Sequence, residues 1–237
     1  DFNTNIFNQL DVSYHYVDYQ HAELSSNVIH VDLAKDTHNL NFKLKSSNSV
    51  IGFDVKYKHL YSQQELAHYF SPSTTQLNLF LYGYHEAELN KFDLLSSCRI
   101  GYLSIKPKDK IEYENLNADE IMNRKFNFFS SSIGIKKVFE KFEFNSWIMN
   151  TMRGPQSEEL FSDGPHLGTY SYEVGKPNLD IEKIYGIESS ISYTAQSLNT
   201  SFTAFYNESP YYYKMSKRGN CGNMDDLQEC SDQGYII

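Results

Sequence analysis

The stretch Leu40-Asn41-Phe42-Lys43-Leu44-Lys45-Ser46-Ser47-Asn48-Ser49-Val50-Ile51-Gly52-Phe53-Asp54-Val55-Lys56-Tyr57-Lys58 decides the fold. Leu40, Phe42 and Leu44 alternate with Asn41, Lys43 and Lys45. Past the polar turn at Ser46–Ser49, Ile51, Phe53, Val55 and Tyr57 alternate with Gly52, Asp54, Lys56 and Lys58. A period of two marks a strand with one apolar and one wet face, and two such runs across a short turn make an antiparallel hairpin. The pattern recurs at Leu10–Glu23 and Ile184–Gln196, and less regularly at Thr75–Glu86, Phe92–Ile105, Phe126–Val138, Phe142–Met152 and Thr200–Tyr213. The expectation is an all-β chain of about nine strands with no helix. Composition agrees: 15% of residues are aromatic, which suits strands, and 21 basic against 30 acidic residues leave no basic surface for nucleic acid.

The connections narrow the class. Ser46–Ser49, Glu88–Lys91, Phe139–Lys141 and Ser197–Asn199 are short. Leu24–Asp36, Tyr61–Thr74, Lys106–Lys125, Arg153–Lys183 and the tail from Lys214 are long. In an up-and-down meander every second connection lies at the same end, so short turns gather at one end and long loops at the other. Outer-membrane barrels have that asymmetry. The strands reach the ~9–11 residues that cross a bilayer. Tyrosines gather near strand ends, as at Tyr14/Tyr16/Tyr19, Tyr57/Tyr61, Tyr82/Tyr84 and Tyr211/Tyr212/Tyr213, where a ring meets lipid and a hydroxyl meets water. A soluble β-sandwich binding module shares the alternation and is the rival from another class.

The segment Glu158-Glu159-Leu160-Phe161-Ser162-Asp163-Gly164-Pro165-His166-Leu167-Gly168-Thr169, continuing through Glu173-Val174-Gly175-Lys176-Pro177-Asn178-Leu179 to Glu182, closely resembles a stretch of the barrels of TonB-dependent outer-membrane receptors. Lys176 stands where that pattern has Asn. Tyr19-Gln20-His21-Ala22-Glu23, Phe126–Gly134 and Ser201–Glu208 resemble further strands of the same family, in family order. The resemblance implies an antiparallel meander forming part of a transmembrane β-barrel wall, with residues 1–237 a partial barrel domain whose plug and closing strands lie outside it. It implies active uptake of a scarce nutrient, most simply a metal chelate such as an iron-siderophore. The implied location is the bacterial outer membrane. The implied partners are membrane lipid, the TonB complex acting through the plug, and the chelate. Uptake of zinc or another free metal ion, and a passive porin-like channel, are the alternatives.

No enzyme is expected, since no nucleophile elbow, zinc-protease motif, phosphate loop or dinucleotide fingerprint is present. No cofactor is expected beyond a transported metal or chelate. His21, His30, His38, His68 and His166 fall at or near the long-loop end and are the candidate metal contacts, since neutral imidazole suits zinc, copper and iron. His30 and His38 are expected to share one loop. Lys43, Lys45, Lys56 and Lys58 form a basic set on the wet face, suited to an anionic chelate or to acidic groups of a plug. Glu158-Glu159 reads as a solvated loop pair. Cys98 is expected to stay unpaired. Cys221 and Cys230 flank a short polar segment in a spacing that suits a loop-closing disulfide on an oxidising route, worth ~2–3 kcal/mol if unstrained. Peptide mapping of natively exported protein without reductant should recover the two cysteines joined; free thiols at both would reject the bridge.

Overall fold

The computed structural model describes residues 7–25, 28–62, 70–109, 112–166, 171–217 and 235–236. In chain order the elements are β1 (Gln9–Ser25), β2 (Val28–Lys45), β3 (Ser49–Ser62), β4 (Thr74–Leu89), β5 (Phe92–Pro107), β6 (Arg124–Phe139), β7 (Phe142–Arg153), α1 (Ser157–Phe161), β8 (Asp163–His166), β9 (Ser171–Val174), β10 (Glu182–Ala195), β11 (Leu198–Tyr211), β12 (Ser216–Lys217) and β13 (Tyr235–Ile236). The nine long strands form one antiparallel meander in the order β1-β2-β3-β4-β5-β6-β7-β10-β11. The short strands β8, β9, β12 and β13 make a second, small sheet.

Register confirms the two-faced alternation. Val12, Phe42, Phe53, Leu81, Ile100 and Phe129 stand opposite one another across six strands. All six are exposed, from 39% at Phe53 to 56% at Ile100. Such a continuous apolar row, with no second layer over it among the described residues, has the character of a lipid-facing surface. Aromatic rows border the outer face at both ends. At the long-loop end Tyr16, His38 and Tyr57 lie in register. At the short-turn end the Phe139 and Phe142 rings stack at 5.5 Å, with Tyr193 5.0 Å from Phe142.

The inner face carries the residues one step along. Asn41 pairs with Asp54, and Lys43, Gly52, Tyr82, Arg99 and Ser130 follow one another across five strands. Asn41 Nδ2 donates to Asp54 Oδ1 and, at 3.1 Å, to the Tyr82 hydroxyl. Tyr82 lies flat over its register partner Gly52, and Phe128 over Gly101; a Cβ at either glycine would collide with the ring. Strand glycines here serve close approach. The rings hug the wall instead of filling the interior.

Two expectations need correction. Leu24–Asp36 is not a long loop: β1 runs to Ser25 and β2 starts at Val28. Ile29, Val31 and Leu33 alternate with His30, Asp32 and Ala34, so the segment has strand character of its own. Among the described residues β2 pairs with β3 from Leu33 onward, and the hairpin beyond it is paired only within itself. The described residues also include one helical turn, α1, too short for any period to betray.

A charge on the outer row should be costly. In the intact membrane protein, Ile100→Arg should destabilise the refolded state in phospholipid vesicles by about 2–4 kcal/mol, read from denaturant titration. Lys56→Ala on the inner face should cost little. Equal tolerance at both positions would contradict the facing.

Candidate functional site at the roofed end of the inner face

At the long-loop end the connections fold back onto the inner face. Leu103, Ile105, Phe126 and Phe128 of the wall bury against Ile121, Leu160, Phe161, Leu179 and Tyr213. Leu160 and Phe161 are fully buried, worth ~1.5–3 kcal/mol each. These two side chains explain why Ser157–Phe161 turns helical, since adjacent residues of a helix can bury while the polar ones point elsewhere. The Glu159 carboxylate also accepts from the Gln156 backbone N–H at 2.7 Å, closing the first turn.

The residues that carry the family resemblance are the seat of this roof. Gly175 lies against the backbone of Leu160 and Phe161 so tightly that no Cβ fits, and its N–H donates to Ser162 O at 2.6 Å. Asp163, 2% exposed, accepts from the Asn115 and Leu116 N–H groups at 2.6 and 2.8 Å and from the Tyr172 hydroxyl at 3.1 Å. One carboxylate thus ties two long connections together. Burial, with Asp163 and Glu114 beside it, pushes the Tyr172 pKa far above the usual tyrosine value and makes the hydroxyl a much weaker acid, so it stays a neutral donor. Arg124 donates to Pro177 O and, at 2.8 Å, to Leu179 O. Arg153 forks onto Glu159 at 2.9 Å through both terminal nitrogens, donates to Glu182 through Nε, and lies 4.5 Å over the Tyr213 ring.

Beneath the roof lies a polar shelf. Thr37, Lys58 and Gln76 form one cross-strand row, and Asn39, Lys56 and Asn78 the next. Lys58, 7% exposed, donates to Glu158 Oε1 and Oε2 at 3.2 and 3.3 Å. The Ser157 hydroxyl adds a bond to the same carboxylate at 2.7 Å. A recess of about 340 Å3 is lined by this part of the wall and by Gln156, Glu158 and Glu159. Glu158-Glu159 is therefore no solvated pair: one acid holds the wall, the other holds Arg153.

The candidate residues scatter. His30 and His38 do not share a loop; they sit eight residues apart on β2, about 26 Å at strand rise, too far to share one ion. His30 falls at the register shift near Glu23/Leu24. His38 is on the outer face, its Nδ1 2.7 Å from the Tyr14 hydroxyl and its ring 4.9 Å from that of Tyr16. His21 is at an inner-face register position, its ring stacked at 6.2 Å on Tyr19. His166 pairs with Glu173 at 2.9 Å. His68, Cys221 and Cys230 lie outside the described residues, and Cys98 is a free, exposed thiol. Among the described residues no three His, Cys, Asp or Glu groups converge as a metal site would. The lysine set divides as well: Lys45 pairs with Asp11 at 2.6 Å and Lys58 with Glu158.

Burial pushes the Glu158 carboxyl up, but Lys58, the Ser157 hydroxyl and backbone hydrogen bonding outweigh it, so the group sits below its ordinary 4.5. The contact's stabilisation is then complete above that value and lost as pH falls through the lower docked value. Lys56, Lys35 and Glu159 also face the recess. In the intact protein, the Ser162 amide, which donates to Glu158 O at 3.1 Å, should keep its exchange protection at neutral pH and lose it only as pH falls below the ordinary carboxyl value of 4.5. Protection that falls instead through neutral pH would assign the latch to another group.

Comparisons with known proteins agree with this architecture. The family model described as "TonB dependent receptor-like, beta-barrel" matches residues 1–210. No curated protein sequence matches significantly. Among solved structures, the copper transporter OprC superposes with a TM-score of 0.61 at 14% identity, over 86% of this chain and 36% of that one. A double mutant of the Serratia marcescens hemophore receptor HasR, in complex with its hemophore HasA and heme, gives 0.63 at 12% identity, over 92% and 39%. The FrpB iron transporter of Neisseria meningitidis gives 0.55 at 12%, over 99% and 38%. The chain thus spans well under half the length of these proteins, and at such identity they speak for the fold alone. With the family model matched over most of its length, the chain belongs to the TonB-dependent receptors, and its nine-stranded sheet is part of their β-barrel.

Proposed function

We propose that this wall belongs to a bacterial outer-membrane receptor that imports a scarce metal chelate, of the iron-siderophore kind, with energy delivered through TonB. The observation that carries the reading is the polar, lysine-bearing shelf on the inner face, roofed at the long-loop end by α1 and its flanking segments. The relatives in structure are named as transporters and receptors for copper, heme with its hemophore, and iron, which supports metal-containing cargo without fixing which. The separation of His30 from His38 along one strand favours a chelate over a bare ion, because a bare ion needs converging ligands. The outer face would contact membrane lipid, and the inner face the chelate.

In a strain that depends on the intact receptor, radiolabelled iron offered as a panel of chelates should accumulate, and accumulation should vanish when TonB is removed. Uptake that survives loss of TonB would favour the passive channel. His30→Ala combined with His38→Ala should leave chelate uptake within about twofold, a change in binding of less than ~0.5 kcal/mol. Loss of uptake of free zinc or copper in that double variant would restore the metal-ion reading.

A further inference from the structure

The shelf has a feature that a mere wall does not need. Lys58 is almost fully buried, and among the described residues its anionic partner, Glu158, comes from another element, α1. Its row neighbour Gln76 is 3% exposed, and its Oε1 has no hydrogen-bond partner. Lys56, one row away on the same face, is exposed and unpaired among the described residues. A buried cation and a second amine around a recess of about 340 Å3 form a place for an anionic group, and the unpartnered Gln76 Oε1 beside them can accept from a hydroxyl carried by the same ligand. In the structure that place is taken by a carboxylate of the chain itself.

We propose that the Lys56/Lys58/Gln76 shelf is a carboxylate-binding subsite and that Glu158 is its internal surrogate ligand, so that a carboxylate-bearing cargo competes with Glu158 for Lys58 and frees α1 from the wall. The inference rests on the importer reading and adds to it a cargo class and a coupling between cargo and roof. Breaking a buried pair by removing one partner leaves the other charge uncompensated. Loss of Glu158 therefore raises the demand of Lys58 for an outside anion. Loss of Lys58 removes the demand altogether. A competing self-ligand and a structural ion pair thus make opposite predictions for one variant.

The test uses the intact receptor in detergent, with citrate as the probe and chloride at equal ionic strength as control. Calorimetry should show saturable citrate binding by the natural receptor. Glu158→Gln should bind citrate about tenfold tighter, that is ~1.4 kcal/mol. Lys58→Met should not bind it. Lys56→Met, which leaves the latch untouched, should bind severalfold more weakly while the Ser162 amide keeps its exchange protection. In the natural receptor that protection should fall as citrate saturates. Unchanged or weaker binding in Glu158→Gln, or no saturable citrate binding in either protein, overturns the proposal. TonB-dependent chelate uptake alongside that result would leave the importer reading standing. Absence of uptake of every chelate would remove the importer reading whatever citrate does.

Discussion

Everything in this molecule depends on one constraint: the strict two-residue alternation of side chains across a continuous hydrogen-bonded meander. Each strand exposes every second side chain to one side, and register locks neighbours into the same choice. Six strands that agree produce a surface that is apolar from Val12 to Phe129 on one side, and five of them a row that is largely polar from Lys43 to Ser130 on the other. Backbone polar groups within such a wall are satisfied between strands, which is the condition for residing in hydrocarbon. The strands β1 and β11 form the two edges of the sheet.

The second dependence is local. The β7–β10 connection is held on the inner face by a few groups that each do two jobs. Asp163 gathers donors from Asn115, Leu116 and Tyr172. Arg153 joins α1 through Glu159 to the start of β10 through Glu182. Gly175 lets a backbone lie directly on α1. This unit explains why a stretch resembling the family pattern so closely belongs to a connection and not to a strand: its residues are chosen for mutual packing. Among these fixtures the Lys58–Glu158 contact is different in kind, because both its partners also face an open recess.

The sheet was legible from the sequence because alternation is written directly into residue order. All nine long strands were visible as runs such as Ile51/Phe53/Val55, and the face assignments of Phe42, Phe53, Asn41 and Asp54 hold in the register. The first hairpin was less legible. Polar residues at Ser25-Ser26-Asn27 and the charges of Asp32, Lys35 and Asp36 read as loop, yet Ile29, Val31 and Leu33 keep the period. Treating His30 and His38 as loop neighbours followed from that one misreading. The shelf was hidden for another reason. Lys56, Lys58, Gln76 and Glu158 come from three elements, and only register and a five-residue helix bring them together. Such long-range juxtapositions leave no trace in local periodicity.

The central claim is that one face of this wall meets lipid and the other an aqueous interior that receives cargo. Nitroxide labels placed singly along β3 of the intact receptor in bilayers test it most directly, by collision with dissolved oxygen and with a water-soluble nickel chelate. Labels at Phe53, Val55 and Tyr57 should be reached by oxygen and shielded from nickel. Labels at Asp54 and Lys56 should show the reverse, giving a period of two. Equal nickel accessibility at all five positions, or no alternation, would contradict the assignment of the faces and with it the reading of the inner shelf as a site for imported ligand.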